Sequence, residues 1–167
     1  MSPIISRARS ATGAGAIIIL ILVLAFGNQA YVEWTKDHAQ GANAWELLLR
    51  TLAWPQWFLT SGADTPRSVL AFDLRALLVI VLVAAILGLA GPSVGRGFSA
   101  FAMGWFAVIL GAAVAALVTA FVTTDASLYK ALTDAGGASV YGLFVGWIVG
   151  LVTAAARRPA PVVATAA

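Results

Sequence analysis

The sequence predicts an all-α integral membrane protein: a four-transmembrane-helix bundle with a short amphipathic interfacial helix in its first outer loop. Three observations carry this reading. Of 167 residues, 61% are hydrophobic and only 10% are charged, too few charges to clothe a soluble domain of this length. Four stretches, 10–32, 76–95, 97–124 and 135–156, contain no Asp, Glu, Lys, Arg or His. Each can hold the roughly 20 residues that a helix needs to cross a bilayer. The stretches are also continuously apolar, without the alternation of barrel strands. In hydrocarbon every backbone polar group must be paired, and a helix does this within itself.

The elements follow in chain order. Residues 1–10 form an N-terminal segment carrying Arg7 and Arg9. The first span is 11–30, centred on "AIIILILVLAF". Arg7 and Arg9 ahead of an apolar core also fit the front of a signal peptide, with Ala30 at the cleavage point. Asn28 is a poor residue at the −3 position, so a retained helix is the expectation. A long loop, 31–73, follows. Within it "NAWELLLRTLAWPQWFL" predicts a helix over about 44–53. Asn43 is placed to cap it, Glu46 sits where a capping box needs it, and Pro55 disfavours helix at Trp54. Trp45, Leu48, Leu49 and Leu52 share one face, with Glu46 and Arg50 as an i,i+4 pair opposite. The second span is 74–91, with Asp73 and Arg75 at its start, where snorkelling to the interface accounts for both. A tight turn, 92–98, leads to the third span, 99–122. A loop, 123–137, precedes the fourth span, 138–156, and the tail 157–167 predicts disorder.

Charge sets the orientation. Arg7, Arg9, Arg96, Arg157 and Arg158 lie in segments without a single acidic side chain. The first outer loop, counted with the flanking Arg75, and loop 123–137 each carry one more acid than base. Positive-only segments stay on the cytoplasmic side, so both termini are expected inside a plasma membrane. The formal net charge of +3 is therefore a topology signal and makes no nucleic-acid patch. The abundance of Ala, Val, Gly and Arg fits a high-GC bacterial genome.

Two contact features stand out. Ala138, Gly142, Gly146, Gly150 and Ala154 recur every four residues down the fourth span. Steps of four make a smooth groove inclined to the helix axis, and small residues let two backbones approach closely in lipid. The third span offers Gly104, Gly111 and Ala115 as the matching surface. Packing within the chain or against another subunit both satisfy this pattern. On that reading Gly146→Leu is disruptive, whereas Val145→Leu, off the row, is mild. The second feature is tryptophan: Trp34, Trp45, Trp54 and Trp57 all fall in loop 31–73. Tryptophan settles at headgroup level. The loop therefore reads as a lid on the outer leaflet, or as a docking surface for a lipid, quinone or partner protein.

The chemistry is sparse. The absence of cysteine excludes thiol chemistry and cysteine-held metal centres. The single histidine, His38, stands beside Glu33 and Asp37 but lacks metal-ligand spacing. "GPSVGRG" (91–97) lacks the GK[ST] ending of a phosphate loop. Apart from Arg75 at the start of the second span, the deepest polar side chains of the spans are the hydroxyls of Thr119, Tyr141 and Thr153, none of which holds or releases a proton near neutral pH. No enzyme activity and no cofactor are expected. The favoured expectation is a non-catalytic subunit or scaffold of a larger membrane complex, packing through small-residue helix faces against a protein partner or its own copies. A small oligomeric transporter or pore is the alternative, and a membrane enzyme acting at the outer loop is the third.

Overall fold

A computed structural model describes residues 3–59, 65–122 and 127–157, with side chains from Ala11 onward except at Pro92. The described residues form six α-helices, one 3-10 turn and no strand. The helices are α1 (Pro3–Phe26), α2 (Gln29–His38), α3 (Ala44–Leu52), α4 (Pro66–Ala90), α5 (Phe98–Ala120) and α6 (Leu128–Ala156), with the 3-10 turn at Gly91–Ser93. The expected tail lies outside the described residues from position 158 on, as do 60–64 and 123–126 within the two loops.

Three helices, α4, α5 and α6, are long and apolar enough to cross a membrane. The number rises to four if α1 and α2 make one span, bent by 58° between them. Such a set is compatible with a multi-pass membrane protein. Asn28 makes the bend. Its Oδ1 accepts from Tyr31 N (2.9 Å), capping α2, while its Nδ2 donates to Ala25 O (2.6 Å), closing α1. One side chain thus serves two helix ends.

Three helices, α1, α4 and α6, start well before the apolar stretches. The first turn of α4 has Thr65 as N-cap and Pro66 just inside, the favoured order for a helix start. Ser127 caps α6, accepting from Lys130 N at 3.1 Å. Absence of charge marks where a helix meets apolar surroundings, whereas capping residues mark where it begins.

The core is drawn from all four long helices: Ile19 and Val23 from α1, Val79 and Val83 from α4, Val108 from α5, Tyr141 and Val145 from α6. Helix α5 packs most extensively on α6. Gly15 lies where α1, α4 and α6 converge; a Cβ there would sit 2.5 Å from Leu87 Cδ1 and 3.0 Å from Thr153 Oγ1.

The bundle has two distinct ends. At one, Arg157 closes the structure: Nη1 donates to Val94 O (2.6 Å) and Nη2 to Gly91 O (2.8 Å), tying the end of α6 to the α4–α5 turn. Thr12 Oγ1 donates to Leu87 O (3.1 Å) at the same end. Gly97, at φ 69°, begins α5 in a conformation that favours glycine. At the other end α2 packs on α3, and α3 contacts α6.

Candidate functional site

The glycine row of α6 is a groove, and α5 fills it. A Cβ on Gly142 would collide with Ile109 Cα and come within 2.7 Å of Ile109 N. One on Gly146 would lie 2.5 Å from Trp105 Cδ1 and 2.8 Å from Trp105 O. One on Gly150 would lie 2.6 Å from Phe101 O. Phe101, Trp105 and Ile109 are themselves four apart, so a ridge of bulky residues enters a groove of missing side chains. The two helices run antiparallel, and the Trp105 indole donates to Leu143 O at 3.2 Å across the contact.

The expected partners on α5 divide. Gly104 does meet the row, since its Cβ would lie 2.8 Å from Gly150 Cα. Gly111 instead faces α4, with Val83 Cγ2 2.8 Å from the position of its Cβ. Ala115 and Ala138 are buried, and Ala154 is half-buried. The row is therefore occupied inside the chain.

The four tryptophans also divide. Trp57 is anchored: its indole donates to Val23 O (3.2 Å) and its backbone N–H to Gly27 O (2.8 Å). Gly27 permits this approach, because a Cβ there would strike Pro55 O. Trp54 lies on Tyr141, with ring centroids 5.4 Å apart. Phe58 N donates to Asp73 Oδ1 (2.9 Å), pinning the same segment to α4. These contacts fix the α2–α3 layer onto the bundle. Trp34 and Trp45, by contrast, are 44% and 66% exposed, and Leu47 is exposed beside them. The expected face of α3 splits: Leu48, Leu49 and Leu52 are half-buried while Trp45 stands clear.

Asn43 caps α3 as the sequence indicates, while Glu46 bonds to the Asn43 side chain and not to the backbone N–H of a capping box. Asn43 Oδ1 accepts from Glu46 N at 2.9 Å, and Asn43 Nδ2 donates to Glu46 Oε1 at 2.6 Å. Arg50, however, donates to Gly41 O (2.8 Å) rather than pairing with Glu46. A backbone carbonyl within reach satisfies the guanidinium at lower entropic cost than an exposed ion pair.

Arg75 is the charge that the sequence misplaces. Helix α4 begins at Pro66, so Arg75 lies inside it and does not flank its start. Its guanidinium carbon lies 5.2 Å from the Trp54 ring centroid and 5.6 Å from that of Phe72, and Nε donates to Thr119 Oγ1 at 3.4 Å. The cation is roofed by aromatic faces instead of reaching out to solvent. The hydroxyls of Thr119 and Thr153 are buried, each bonded to a carbonyl of its own helix.

His38 stacks on Trp34 at 4.9 Å, with Nδ1 2.9 Å from Trp34 O. Among the described residues, no three His, Cys, Asp or Glu side chains gather as a metal site. The arrangement offers interlocked helices, an aromatic platform bonded to the bundle and, in Arg75, a cation half-buried against aromatic rings. No family model, curated protein or solved structure matches the chain.

Proposed function

We propose that this chain is a non-catalytic integral subunit or scaffold of a larger membrane complex, and that its docking face is the α2–α3 platform. The observation that carries the reading is the division of the tryptophans. Trp54 and Trp57 hold the platform rigidly, while Trp34 and Trp45 are left exposed on it. An immobilised layer that presents large aromatic side chains meets the usual requirements of a docking surface. The glycine row is covered by α5, so a partner would meet another face. Exposed Leu77, Val81, Leu110, Leu143 and Leu151 make the outside of the long helices apolar, which suits a lipid environment. The arginine-only segments favour a plasma membrane with both termini cytoplasmic and the platform outside.

Gentle extraction followed by mass determination of the intact assembly tests this. Wild type is expected well above the 17.2 kDa monomer, and Trp45→Asp is expected to release it. A wild-type protein that is monomeric in lipid nanodiscs would remove the reading. A small oligomeric transporter is the second reading, favoured by Arg75, a cation within a candidate span. Anion flux in proteoliposomes that is lost in Arg75→Gln would select it.

A further inference from the structure

We propose that the cleft between α2 and α3 binds the phosphate headgroup of an anionic phospholipid. The inference rests on the placement of the platform at a membrane surface and adds a ligand to it. The cleft is open on one side and has a volume of about 380 Å³, within the range of small-ligand sites, roughly 300–1,000 Å³.

Its lining is ordered by helical spacing. Val32, Thr35, Lys36 and Ala39 lie on one face of α2, and Arg50 and Ala53 face them from the α3 side. Val32, Thr35, Ala39 and Ala53 are buried and form a closed floor. The floor makes no polar demand, because the Thr35 hydroxyl donates to Val32 O at 2.8 Å. Gln40, also at the cleft, has its amide engaged with Lys36 O at 2.9 Å.

Among the described residues that line the cleft, two are cations, Lys36 and Arg50, and none is an acid. Lys36 Nζ meets no acceptor among the described residues. Arg50 spends one N–H on Gly41 O, which holds its planar fork in place with further donors to spare. Glu33 and Asp37, on the same helix as Lys36, do not line the cleft. A fixed guanidinium beside a free ammonium is the chemistry that recognises phosphate. The apolar floor selects the source. Free phosphate gains nothing from Val32, Ala39 and Ala53, whereas the glycerol carbons of a phosphodiester do. Trp34 and Trp45, exposed on the same two helices, are of the type that settles at headgroup depth.

The test uses the full chain in vesicles of phosphatidylcholine mixed with phosphatidylglycerol. After flotation, the protein is extracted in nonionic detergent and its retained lipids are counted by native mass spectrometry. Wild type and Lys130→Gln, a charge control elsewhere on the surface, are expected to retain phosphatidylglycerol selectively. Lys36→Gln/Arg50→Gln is expected to lose about tenfold of that preference, and Lys36→Gln alone, which keeps the Arg50–Gly41 bond, several-fold. Equal retention of both lipids by wild type, or an unchanged preference in the double variant, overturns the proposal. So does displacement of the lipid by an equal concentration of inorganic phosphate. Protein that does not float with the vesicles overturns the membrane placement and this inference with it; floating protein without lipid preference overturns the inference alone.

Discussion

Gly142→Ala adds one methyl group at the tightest point of the α5–α6 contact. That methyl would collide with Ile109 Cα, lie 2.7 Å from Ile109 N and 2.9 Å from Ile109 Cγ1. Two of these three atoms are backbone, so no rotamer change relieves the clash. Helix α6 has to withdraw, and the same rigid movement opens the contacts at Gly146 and Gly150. Overpacking of this kind costs about 1–3 kcal/mol. Alanine returns about 1 kcal/mol of helix propensity. Gly136→Ala makes the same chemical change in the same helix where nothing lies within 4 Å. It should therefore stabilise by about 0.5–1 kcal/mol. The two variants are expected to differ by about 2 kcal/mol, roughly thirtyfold in the unfolding equilibrium. Denaturant titration in mixed micelles, followed by tryptophan fluorescence, measures the difference. If Gly142→Ala proves as stable as Gly136→Ala, the groove is not a close backbone crossing and the packing argument fails.

Three further outcomes follow from the geometry. Arg157→Ala strands the carbonyls of Gly91 and Val94, and loss of hydrogen bonds to a charged group should cost about 1.5–3 kcal/mol; Arg157→Lys should not restore it, because one ammonium cannot reproduce the fork. A full rescue by lysine would refute the clamp. Trp57→Phe keeps a ring but loses the bond to Val23 O, so thermal stability should fall by about 1 kcal/mol, while Trp45→Phe should leave it unchanged. Equal effects would mean that the platform is not anchored as described. A periplasm-active reporter should be silent when fused after Ala167 and active when inserted near Gly62; the reverse pattern would invert the proposed orientation.

Helices α4, α5 and α6 were legible in the sequence as long runs with little or no charge, which a helix able to cross a bilayer requires. Their starts were less so, yet Thr65-Pro66 and Ser127 are ordinary capping signals that the search for apolar runs passes over. Helix α2 escaped because "QAYVEWTKDH" has no apolar stripe, and its clearest sign is Asn28 as a cap. The four-residue glycine spacing was readable as a groove, but not what fills it. Of the small residues expected opposite it, Gly104 meets the row at Gly150, but most of the groove takes Phe101, Trp105 and Ile109. Those three repeat every four residues and were visible as a ridge. Val145, read as lying off the contact row, is fully buried in the core, so Val145→Leu overpacks and is no neutral control. Periodicity reports one packed face; α6 is packed against both α5 and α1 and has more than one. The tryptophans could be counted but not sorted, because anchoring depends on backbone carbonyls such as Val23 O that no sequence pattern marks.

The claim that contact with other molecules passes through the platform is tested most directly by placing a photoreactive residue at position 45 and irradiating intact membranes. Trp45 is 66% exposed, and the account predicts a discrete covalent adduct with a second polypeptide. The same residue at position 143, on the apolar flank of α6, should yield lipid adducts only. Lipid adducts alone at both positions, or a polypeptide adduct confined to position 143, would contradict it.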